Sequence, residues 1–289
     1  MTAKEIIKYI QSDVIKNIIV DCDAGADGDD QFALAYALAS PDKVRVLCVN
    51  SAPYNENTHE TVAFGKHECE EIISAAGLKV PVFAGSSDYI TRRKTAVNSD
   101  AADMIKKAVE SSDSPVFAVV TGCCTNVTSA LMLYPQINEK LIVVWLALDN
   151  LDGHENTGEY NYHNDIEAGK LLFSLAKNLV LVCAGKVVAP FAMSKDDVDR
   201  NFSSEGTLPM HLRKRFRETT WAQGLWDLCA EGALIIPKAY KFEISKRPVF
   251  DQKGEIESFL ENSEIVVVNH NIAEMIISDC ENRINNYRL

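Results

Sequence analysis

Five carboxylates lie within ten residues at positions 21 to 30, where the sequence reads DCDAGADGDD. They end a short apolar run, residues 16–23, and precede a segment with helical spacing. Like charges this close resist joint ionisation, and a divalent cation with oxygen ligands would stabilise them. A solvated acidic turn that caps the next helix is the alternative reading. At the end of a buried strand, the pattern favours a metal-dependent hydrolase with calcium or magnesium.

Two known acidic motifs can be tested against this loop. An EF-hand loop that started at Asp23 would need Asp or Asn at its third and fifth positions and an acid at its twelfth, but the third is Gly25 and the twelfth is Leu34. A phosphatase of the haloacid dehalogenase type carries a nucleophilic Asp and a general-acid Asp two positions apart. Asp21 and Asp23 have that spacing, so a magnesium-dependent phosphatase stays open as an alternative.

The elements that must position these acids follow an alternating pattern. Continuous Val/Ile/Leu runs typical of buried parallel strands occur at residues 16–23, 44–51, 80–85, 115–121, 141–148 and 179–183. Segments with helical spacing lie between them, at residues 30–39, 58–76, 100–110, 126–134 and 165–177. Residues 194–231 are more polar and helical, two β-like runs follow at residues 248–251 and 264–269, and a terminal helix starts at Ile272.

Strand followed by helix, repeated about five times, predicts an α/β fold with a doubly wound, mostly parallel sheet. We find neither repeat nor linker, so the sequence predicts one domain over residues 1–289. In open parallel sheets, ligands bind beyond the carboxyl ends of the strands. The site is therefore expected in the loops after these ends, with the helices of residues 194–231 lying above them.

Composition limits the partners of the chain. The formal net charge is −12, with only short basic runs, which disfavours binding to a nucleic-acid backbone. No apolar run reaches the roughly 18 residues of a membrane span, and the first 17 residues lack the apolar stretch of a signal peptide. The eight cysteines form no CxxC pair and are expected to be free and buried. We expect a cytoplasmic protein without membrane or nucleic-acid partners.

The segment IIVDCDAGADGDDQFALAYALAS closely resembles the first motif of the nucleoside hydrolase family, with two extra residues between Gly25 and the Asp pair. Further segments resemble later family motifs in the same order. These are VLCVNSAPYN, which ends at Asn55, then VPVFAG, VVTGCCTNVTSAL with Thr121, EYNYHNDIEAG with Glu159 and Asn161, and GLWDLCAEGALIIP with Trp226 and Asp227. The resemblance covers residues 18 to 237 and implies the nucleoside-hydrolase fold.

The resemblance implies a Ca²⁺ ion held by Asp23, Asp30, Asp227 and the backbone carbonyl of Thr121. It further implies that a water attacks the anomeric carbon through an oxocarbenium-like state, with Asp23 as its general base. Side chains that would hold the ribose hydroxyls are Asp29, Asn55, Glu159 and Asn161. Asp21 would support this site from behind, and Asp27, which lies in the insertion, would be surface charge.

Three departures from the family pattern bear on the substrate. Trp226 stands where pyrimidine-tolerant members carry His, and purine-specific members resemble this chain in having Trp, whose indole stacks on the base. A plain core aromatic is the alternative for Trp226. The loop after the third strand is shorter than usual, and the turn after the fifth reads WLALDNLDG instead of being Gly-rich. His154 and His163 match no family position and are expected to be polar loop residues.

The leading hypothesis is therefore a calcium-dependent N-ribohydrolase for purine ribonucleosides, which releases free base and ribose. The magnesium-dependent phosphatase is its enzyme rival. A degenerate relative that binds a ribosylated ligand without cleaving it is a third possibility, which the altered turn and short loop favour. The retained metal-ligand positions argue against it. By analogy with the family, a homodimer or homotetramer is expected.

Overall fold

A computed structural model describes residues 1–152 and 156–288 of the chain. The strands in these ranges are β1 (Lys16–Cys22), β2 (Val44–Ser51), β3 (Val82–Ala84), β4 (Val116–Val120), β5 (Leu141–Ala147), β6 (Leu179–Cys183), β7 (Tyr240–Phe250) and β8 (Ile256–Asn271). The α-helices are α1 (Ala3–Ile10), α2 (Asp29–Leu38), α3 (Thr58–Ala75), α4 (Ile90–Arg93), α5 (Asp100–Glu110), α6 (Thr125–Leu133), α7 (Tyr160–Asn164), α8 (Ile166–Leu175), α9 (Ala184–Val187), α10 (Lys195–Asn201), α11 (Thr207–Glu218), α12 (Leu228–Ile235) and α13 (Ala273–Asn285).

The strands form one sheet in the order β3-β2-β1-β4-β5-β6-β8-β7. Every neighbouring pair from β3 to β8 is parallel, and only β7 runs antiparallel, against β8. The predicted doubly wound, mostly parallel α/β sheet is thus confirmed. The order reverses at β1, whose neighbours are β2 on one side and β4 on the other. Such a switch point opens a crevice at the carboxyl ends of the strands.

Each central strand contributes side chains to two hydrophobic layers, because successive side chains point to opposite faces of the sheet. In β5, for example, Val144 and Leu146 pack with α2, α12 and α13, while Val143 and Trp145 pack with α5, α6 and α8. All seven residues of β5 are buried. Burial on both faces explains why these strands read as unbroken apolar runs, which made them recognisable in the sequence.

The hairpin of β7 and β8 is longer than the sequence predicted. The β-like runs at residues 248–251 and 264–269 are only parts of it, since β7 covers Tyr240–Phe250 and β8 covers Ile256–Asn271. The remainder is rich in exposed charge, including Lys246 and Glu261, which form an ion pair at 2.7 Å. An edge hairpin with solvated side chains lacks the apolar signal of a buried strand.

The strand register brings the candidate loops together. Asp21 in β1 lies beside Asn50 in β2 and Val120 in β4, and Val120 lies beside Trp145 in β5. The loops after these strands therefore open at one edge of the sheet, and the segment between β6 and α12 lies over them. In the described part of the chain, no helix has both the length and the apolar character needed to cross a membrane.

Candidate active site

A cavity of about 440 Å³ opens at the carboxyl ends of β1, β4 and β5. The nine side chains singled out in the sequence all line it, namely Asp23, Asp29, Asp30, Asn55, Thr121, Glu159, Asn161, Trp226 and Asp227. The remaining lining residues are Ala26, Asp27, Leu146, Tyr160, Ala184, Val188 and Trp221. Its floor is acidic and its walls are largely apolar, a combination typical of a site for a polar ligand with an aromatic part.

The acidic floor comes from the turn after β1, the first turn of α2 and the residue before α12. Asp29 and Asp30 begin α2, where the positive end of the helix dipole favours negative charge. One carboxylate oxygen of Asp29 accepts a hydrogen bond of 3.1 Å from the Asp30 N–H, and the other accepts one of 3.3 Å from the Asp227 N–H. Asp29 thereby ties the start of α2 to the start of α12, which lies about 200 residues later in the chain.

These carboxylates are buried together without a basic partner among the described ion pairs. Burial, and then the charges of neighbouring carboxylates, raise the pKa of Asp23, Asp29 and Asp227 well above the usual range. Asp23 Oδ2 is buried and has no hydrogen-bond partner in the part of the chain that the structure describes. Several buried acids and an orphaned oxygen form a hard-oxygen donor set that fits a divalent cation such as Ca²⁺ or Mg²⁺.

The turn after β4 closes one side of the cluster. Thr121 Oγ1 donates a hydrogen bond of 2.9 Å to Asp30 Oδ1. Next to it, a β-carbon built on Gly122 would lie 2.9 Å from Asp23 Cγ and 3.1 Å from its Cβ. Only glycine allows the backbone to approach the Asp23 side chain this closely. The same glycine accepts a hydrogen bond of 3.0 Å from Trp145 Nε1, which fixes the turn from the far side of the sheet.

Glu159 and Asn161 come from the start of α7. The Glu159 carboxylate accepts backbone N–H bonds from Leu148 at 3.0 Å, Asn161 at 3.0 Å and Tyr162 at 2.9 Å. Burial nevertheless raises the pKa of Glu159 to about 7, although these bonds oppose the shift. Asn161 donates from Nδ2 to the Leu146 carbonyl at 2.9 Å, so its amide orientation is set by β5.

Two non-glycine residues near the cavity have left-handed backbones. Asn55, which follows β2, has φ 56°, and Leu148, which follows β5, has φ 60°. Such angles strain a side chain with a β-carbon and often occur at functional sites. In the turn after β5, the left-handed position is therefore occupied by Leu148 and not by a glycine. The Leu148 N–H donates a hydrogen bond to the Glu159 carboxylate. The altered WLALDNLDG turn still supports a predicted site residue.

The aromatic wall has three members. Trp226 is half-buried and packs on Gly224, where an added β-carbon would lie 2.5 Å from its Nε1. Tyr160 is 46% exposed and donates a long hydrogen bond of 3.4 Å to Asn55 Oδ1. Trp221 is 68% exposed. Trp226 lines the cavity and also contacts the hydrophobic core. Its surroundings therefore fit both interpretations of this residue, as a side chain of the cavity and as a core aromatic.

The structure corrects one expectation about the acidic loop. Asp27, expected to be surface charge, is half-buried and lines the cavity, and its Oδ1 accepts a 3.3 Å hydrogen bond from the Asp29 N–H. One carboxylate oxygen each of Asp27, Asp29 and Asp30 lie within 4.8 Å of one another. The two-residue insertion thus folds the extra acid inward. Sequence spacing alone could not predict the inward position of Asp27, because the direction of a loop depends on tertiary contacts.

Asp21 is fully buried and does not line the cavity. Its carboxylate accepts amide hydrogen bonds from Asn50 at 3.2 Å and Asn126 at 3.3 Å. Burial raises the pKa of Asp21 to about 7, and the two amide bonds oppose that shift. A side chain held this way connects β1, β2 and α6 below the site. It has no access to act as the nucleophile of a phosphatase.

The sequence also predicted that two histidines, His154 and His163, are polar loop residues. His154 lies outside the described residues. His163 belongs to α7 instead of a loop, and its Nδ1 lies 2.8 Å from the Thr157 carbonyl.

The sequence did not predict Tyr160 and Trp221 as cavity residues. For Tyr160 the sequence contained a signal, because this residue stands between the predicted site residues Glu159 and Asn161. Trp221 lies in a segment that resembles no family motif.

The sequence model that describes inosine-uridine preferring nucleoside hydrolases matches residues 18–269. The chain belongs to this family. Among curated relatives of the nucleoside hydrolase family, pyrimidine-specific ribonucleoside hydrolase RihA of Salmonella typhimurium is 26% identical over 58% of this chain and 59% of its own. RihB of Escherichia coli O1:K1 / APEC is 24% identical over 78% of this chain and 80% of its own. The alignments to the RihA relatives cover less than two thirds of their length.

Solved nucleoside hydrolase structures show the same fold. An inosine-guanosine nucleoside hydrolase superposes with a TM-score of 0.77 at 17% identity, over 96% of this chain and 100% of its own. A purine-preferring ribonucleoside hydrolase from Gardnerella vaginalis has a TM-score of 0.74 at 18% identity, over 94% of this chain and 99% of its own. The named relatives thus differ in base preference, and family membership alone leaves the base of this chain open.

Proposed function

We propose that this protein hydrolyses the N-glycosidic bond of ribonucleosides, with a preference for purine bases, to release free base and ribose. The observation that carries the proposal is the single cavity that contains all nine side chains of the expected constellation. Acids, amides and aromatic residues from distant segments of the chain converge there. A ribose needs hydrogen-bond acceptors and donors for its hydroxyls, while a base needs an apolar wall, and the cavity offers both.

The floor of the cavity suits a calcium ion. We propose that Asp23, Asp30, Asp227 and the Thr121 carbonyl hold it, since oxygen-only ligation by carboxylates and a carbonyl is what Ca²⁺ prefers. When bound, the cation supplies positive charge that lowers the pKa of a water molecule and offsets the mutual repulsion of the acids. Asp27, one of whose carboxylate oxygens lies within 4.8 Å of oxygens of Asp29 and Asp30, adds negative charge that strengthens cation binding.

The chain's own residues then divide the chemistry. Asp23, whose buried Oδ2 has no hydrogen-bond partner in the described chain, takes a proton from the attacking water. Asp29, Asn55, Glu159 and Asn161 bind the ribose hydroxyls and orient the anomeric carbon. Because positive charge develops on the sugar ring as the bond breaks, the surrounding carboxylates stabilise that state more than the ground state. Trp226 stacks on the departing base, which takes up a proton from solvent as the N-glycosidic bond breaks and leaves as the neutral free base.

The purine preference rests on Trp226, which lines the cavity and stands where pyrimidine-tolerant members of the family carry His, and no histidine is among the described lining residues. A purine stacks over a larger area on indole than a pyrimidine does. The relatives named pyrimidine-specific make this a sharp test. Ribose release is measured with inosine, guanosine, adenosine, uridine and cytidine at equal concentrations in calcium. We expect higher kcat/KM for the purines, and a higher value for uridine would contradict the preference.

The catalytic proposal is tested at Asp23. Asp23→Ala is expected to lower kcat by about 10³-fold or more, in the range of lost general-base catalysis, while the fold is retained. Asp100→Ala, an exposed acid in the first turn of α5, serves as the matched control. Unchanged turnover in Asp23→Ala would disprove the mechanism. Phosphate release from a sugar phosphate without ribose release from nucleosides would support the phosphatase, and tight ribosyl-ligand binding without release would support the binding protein.

A further inference from the structure

The shortened loop after β3 has no part in the cavity described above. None of the residues that the structure describes from 86 to 95 lines the cavity. The loop is nevertheless anchored, because the buried carboxylate of Asp165 accepts hydrogen bonds of 2.8 Å from the Ile90 N–H and 2.8 Å from the Thr91 N–H. A loop held this way outside the cavity wall can affect the site through a residue that does line the wall.

Asn55, which follows β2, is the cavity residue that this loop contacts. Tyr89, directly before α4, is 4% exposed, and its hydroxyl donates a hydrogen bond of 2.7 Å to the Asn55 carbonyl. Arg92 Nη1 donates one of 3.1 Å to the next carbonyl, that of Glu56. The Arg92 guanidinium also lies 5.0 Å from the centroid of the Tyr89 ring. The loop thus holds two consecutive carbonyls of the segment after β2.

A further contact to Asn55 comes from α7. The Asn55 N–H donates a hydrogen bond of 3.1 Å to Asn164 Oδ1. Asn164 Nδ2 donates one of 3.0 Å to the Tyr160 carbonyl, which sets the orientation of the Asn164 amide. The Tyr89 hydroxyl lies 3.3 Å from the same Asn164 Oδ1. Both backbone groups of Asn55 are therefore bonded to side chains from distant parts of the chain.

The conformation of Asn55 explains why such contacts matter. Asn55 is exposed and has a left-handed backbone, with φ 56°. An asparagine tolerates this region better than most residues, but negative φ values are still more favourable, and an exposed loop residue is free to relax unless other groups hold it. A change of φ would redirect the Asn55 side chain, which in the present conformation lines the cavity.

We propose that Tyr89 is a positioning residue, whose hydroxyl keeps Asn55 left-handed so that the Asn55 amide faces the nucleoside. The inference rests on the proposed function, because it assumes that Asn55 contacts the substrate. Tyr89 itself does not line the cavity, so it acts through Asn55. The short loop after β3 thus supports a substrate-binding residue instead of forming a wall of the site.

Kinetics of Tyr89→Phe, which removes the hydroxyl and keeps the ring, provide the first test. KM for inosine is expected to rise about fivefold, as one lost hydrogen bond predicts, with kcat and Tm close to wild type. Tyr287→Phe is the matched control, because the Tyr287 hydroxyl donates to the Ala76 carbonyl at 2.8 Å and Tyr287 lies outside the cavity. Wild-type KM in Tyr89→Phe would overturn the inference.

A double-mutant cycle separates positioning from a general structural effect. Asn55→Gly removes the amide and adopts φ 56° without strain. Since Tyr89 acts through the Asn55 side chain, Tyr89→Phe is expected to raise KM no further in the Asn55→Gly background. Losses that simply add in the double variant would show that Tyr89 affects the site by another route, which contradicts the inference.

Binding of inosine provides a test that is independent of turnover. The Kd is measured by calorimetry in calcium with Asp23→Asn, which keeps an oxygen at this position and lacks the general base. Adding Tyr89→Phe is expected to raise the Kd about fivefold, and adding Tyr287→Phe to leave it unchanged. Ribose release by the wild type with equal Kd in both variants would reject the inference alone. The fivefold rise without any ribose release would reject hydrolysis and retain the role of Tyr89.

Discussion

At the scale of single residues, the burial of acids sets the electrostatics of this protein. Beyond the cavity, Glu231 of α12 is 1% exposed, and neither of its carboxylate oxygens has a partner in the described chain. Burial, with a smaller contribution from Asp30, raises the pKa of Glu231 to about 8. A neutral carboxylic acid is the form that such an environment tolerates, since an unpaired buried charge is costly.

Glu231 predicts a pH-dependent stability. Its pKa is higher in the folded protein than the ordinary value of 4.5, so the unfolded chain loses this proton first as pH rises. Glu231 therefore destabilises the fold increasingly between about pH 5 and pH 8, by up to about 1.4 kcal/mol per pH unit. Glu231→Gln should remove this slope and be more stable than wild type at pH 8, with little difference at pH 5.

The free energy of unfolding in urea is measured for wild type and variant at both pH values. The acids of the cavity are the same in both proteins, so their contribution to the pH dependence cancels in the difference. Glu257→Gln, at an exposed position of β8, controls for the loss of one surface charge. The same pH slope in wild type and Glu231→Gln would show that this carboxyl finds a partner that stabilises its charge.

At the scale of elements, the turn between β4 and α6 decides where Asp23, the proposed general base, lies. β4 ends at Val120, and the backbone of Gly122 passes against the Asp23 side chain. β1 and β4 are paired in parallel, so the two turns leave the sheet at the same level. The position of Asp23 is thus fixed by a neighbouring strand instead of by its own loop alone.

Gly122→Ala is expected to push Asp23 aside, because the new methyl group would lie 2.9 Å from Asp23 Cγ. A displacement of this kind should lower kcat by about 100-fold. Gly158→Ala is the matched control, since a β-carbon there meets nothing within 4 Å. Ribose release and thermal unfolding are measured for both. Wild-type kcat in Gly122→Ala would mean that the close approach is irrelevant to the position of the base.

At the scale of the whole molecule, the acidic cavity joins distant parts of the chain. Asp29 at the start of α2 contacts the backbone of Asp227 before α12, and the two helices pack against each other. Burial, and then the charges of the neighbouring carboxylates, raise the pKa of both acids. A divalent cation would relieve that repulsion and link both helices. The expected homo-oligomer stays a prediction, since a single chain does not test it.

Calcium is therefore expected to stabilise the entire fold. At 100 times its dissociation constant, a ligand specific for the native state adds about 2.7 kcal/mol, which corresponds to a rise in Tm of roughly 4–5 °C for a chain of this size. Differential scanning fluorimetry in EDTA, Ca²⁺ and Mg²⁺ measures the shift. Asp30→Asn should abolish it, while Asp100→Asn, also in the first turn of a helix, should keep it. Equal Tm in EDTA and Ca²⁺ would contradict the proposed site.

Sequence by itself determined the central strands, their helices and the parallel sheet, because strands buried on both faces must be apolar throughout. The resemblance to the nucleoside hydrolase family identified the side chains that meet in the cavity. Several of them follow parallel strands, whose carboxyl ends share one edge of the sheet. The exposed parts of the β7–β8 hairpin lacked this signal. Solvated residues of many types satisfy an edge strand, so their sequence constrains structure weakly.

Tertiary structure decided which acids face the cavity. In β1, alternation directs Asp21 to the amides of Asn50 and Asn126, whereas the fold of the loop turns Asp27 inward. It also brought Trp221 to the cavity mouth through contacts of its neighbours with the acidic loop and with residues 191–193. Local spacing carries periodicity, but the direction of a loop depends on what packs against it, and those partners lie far away in the chain.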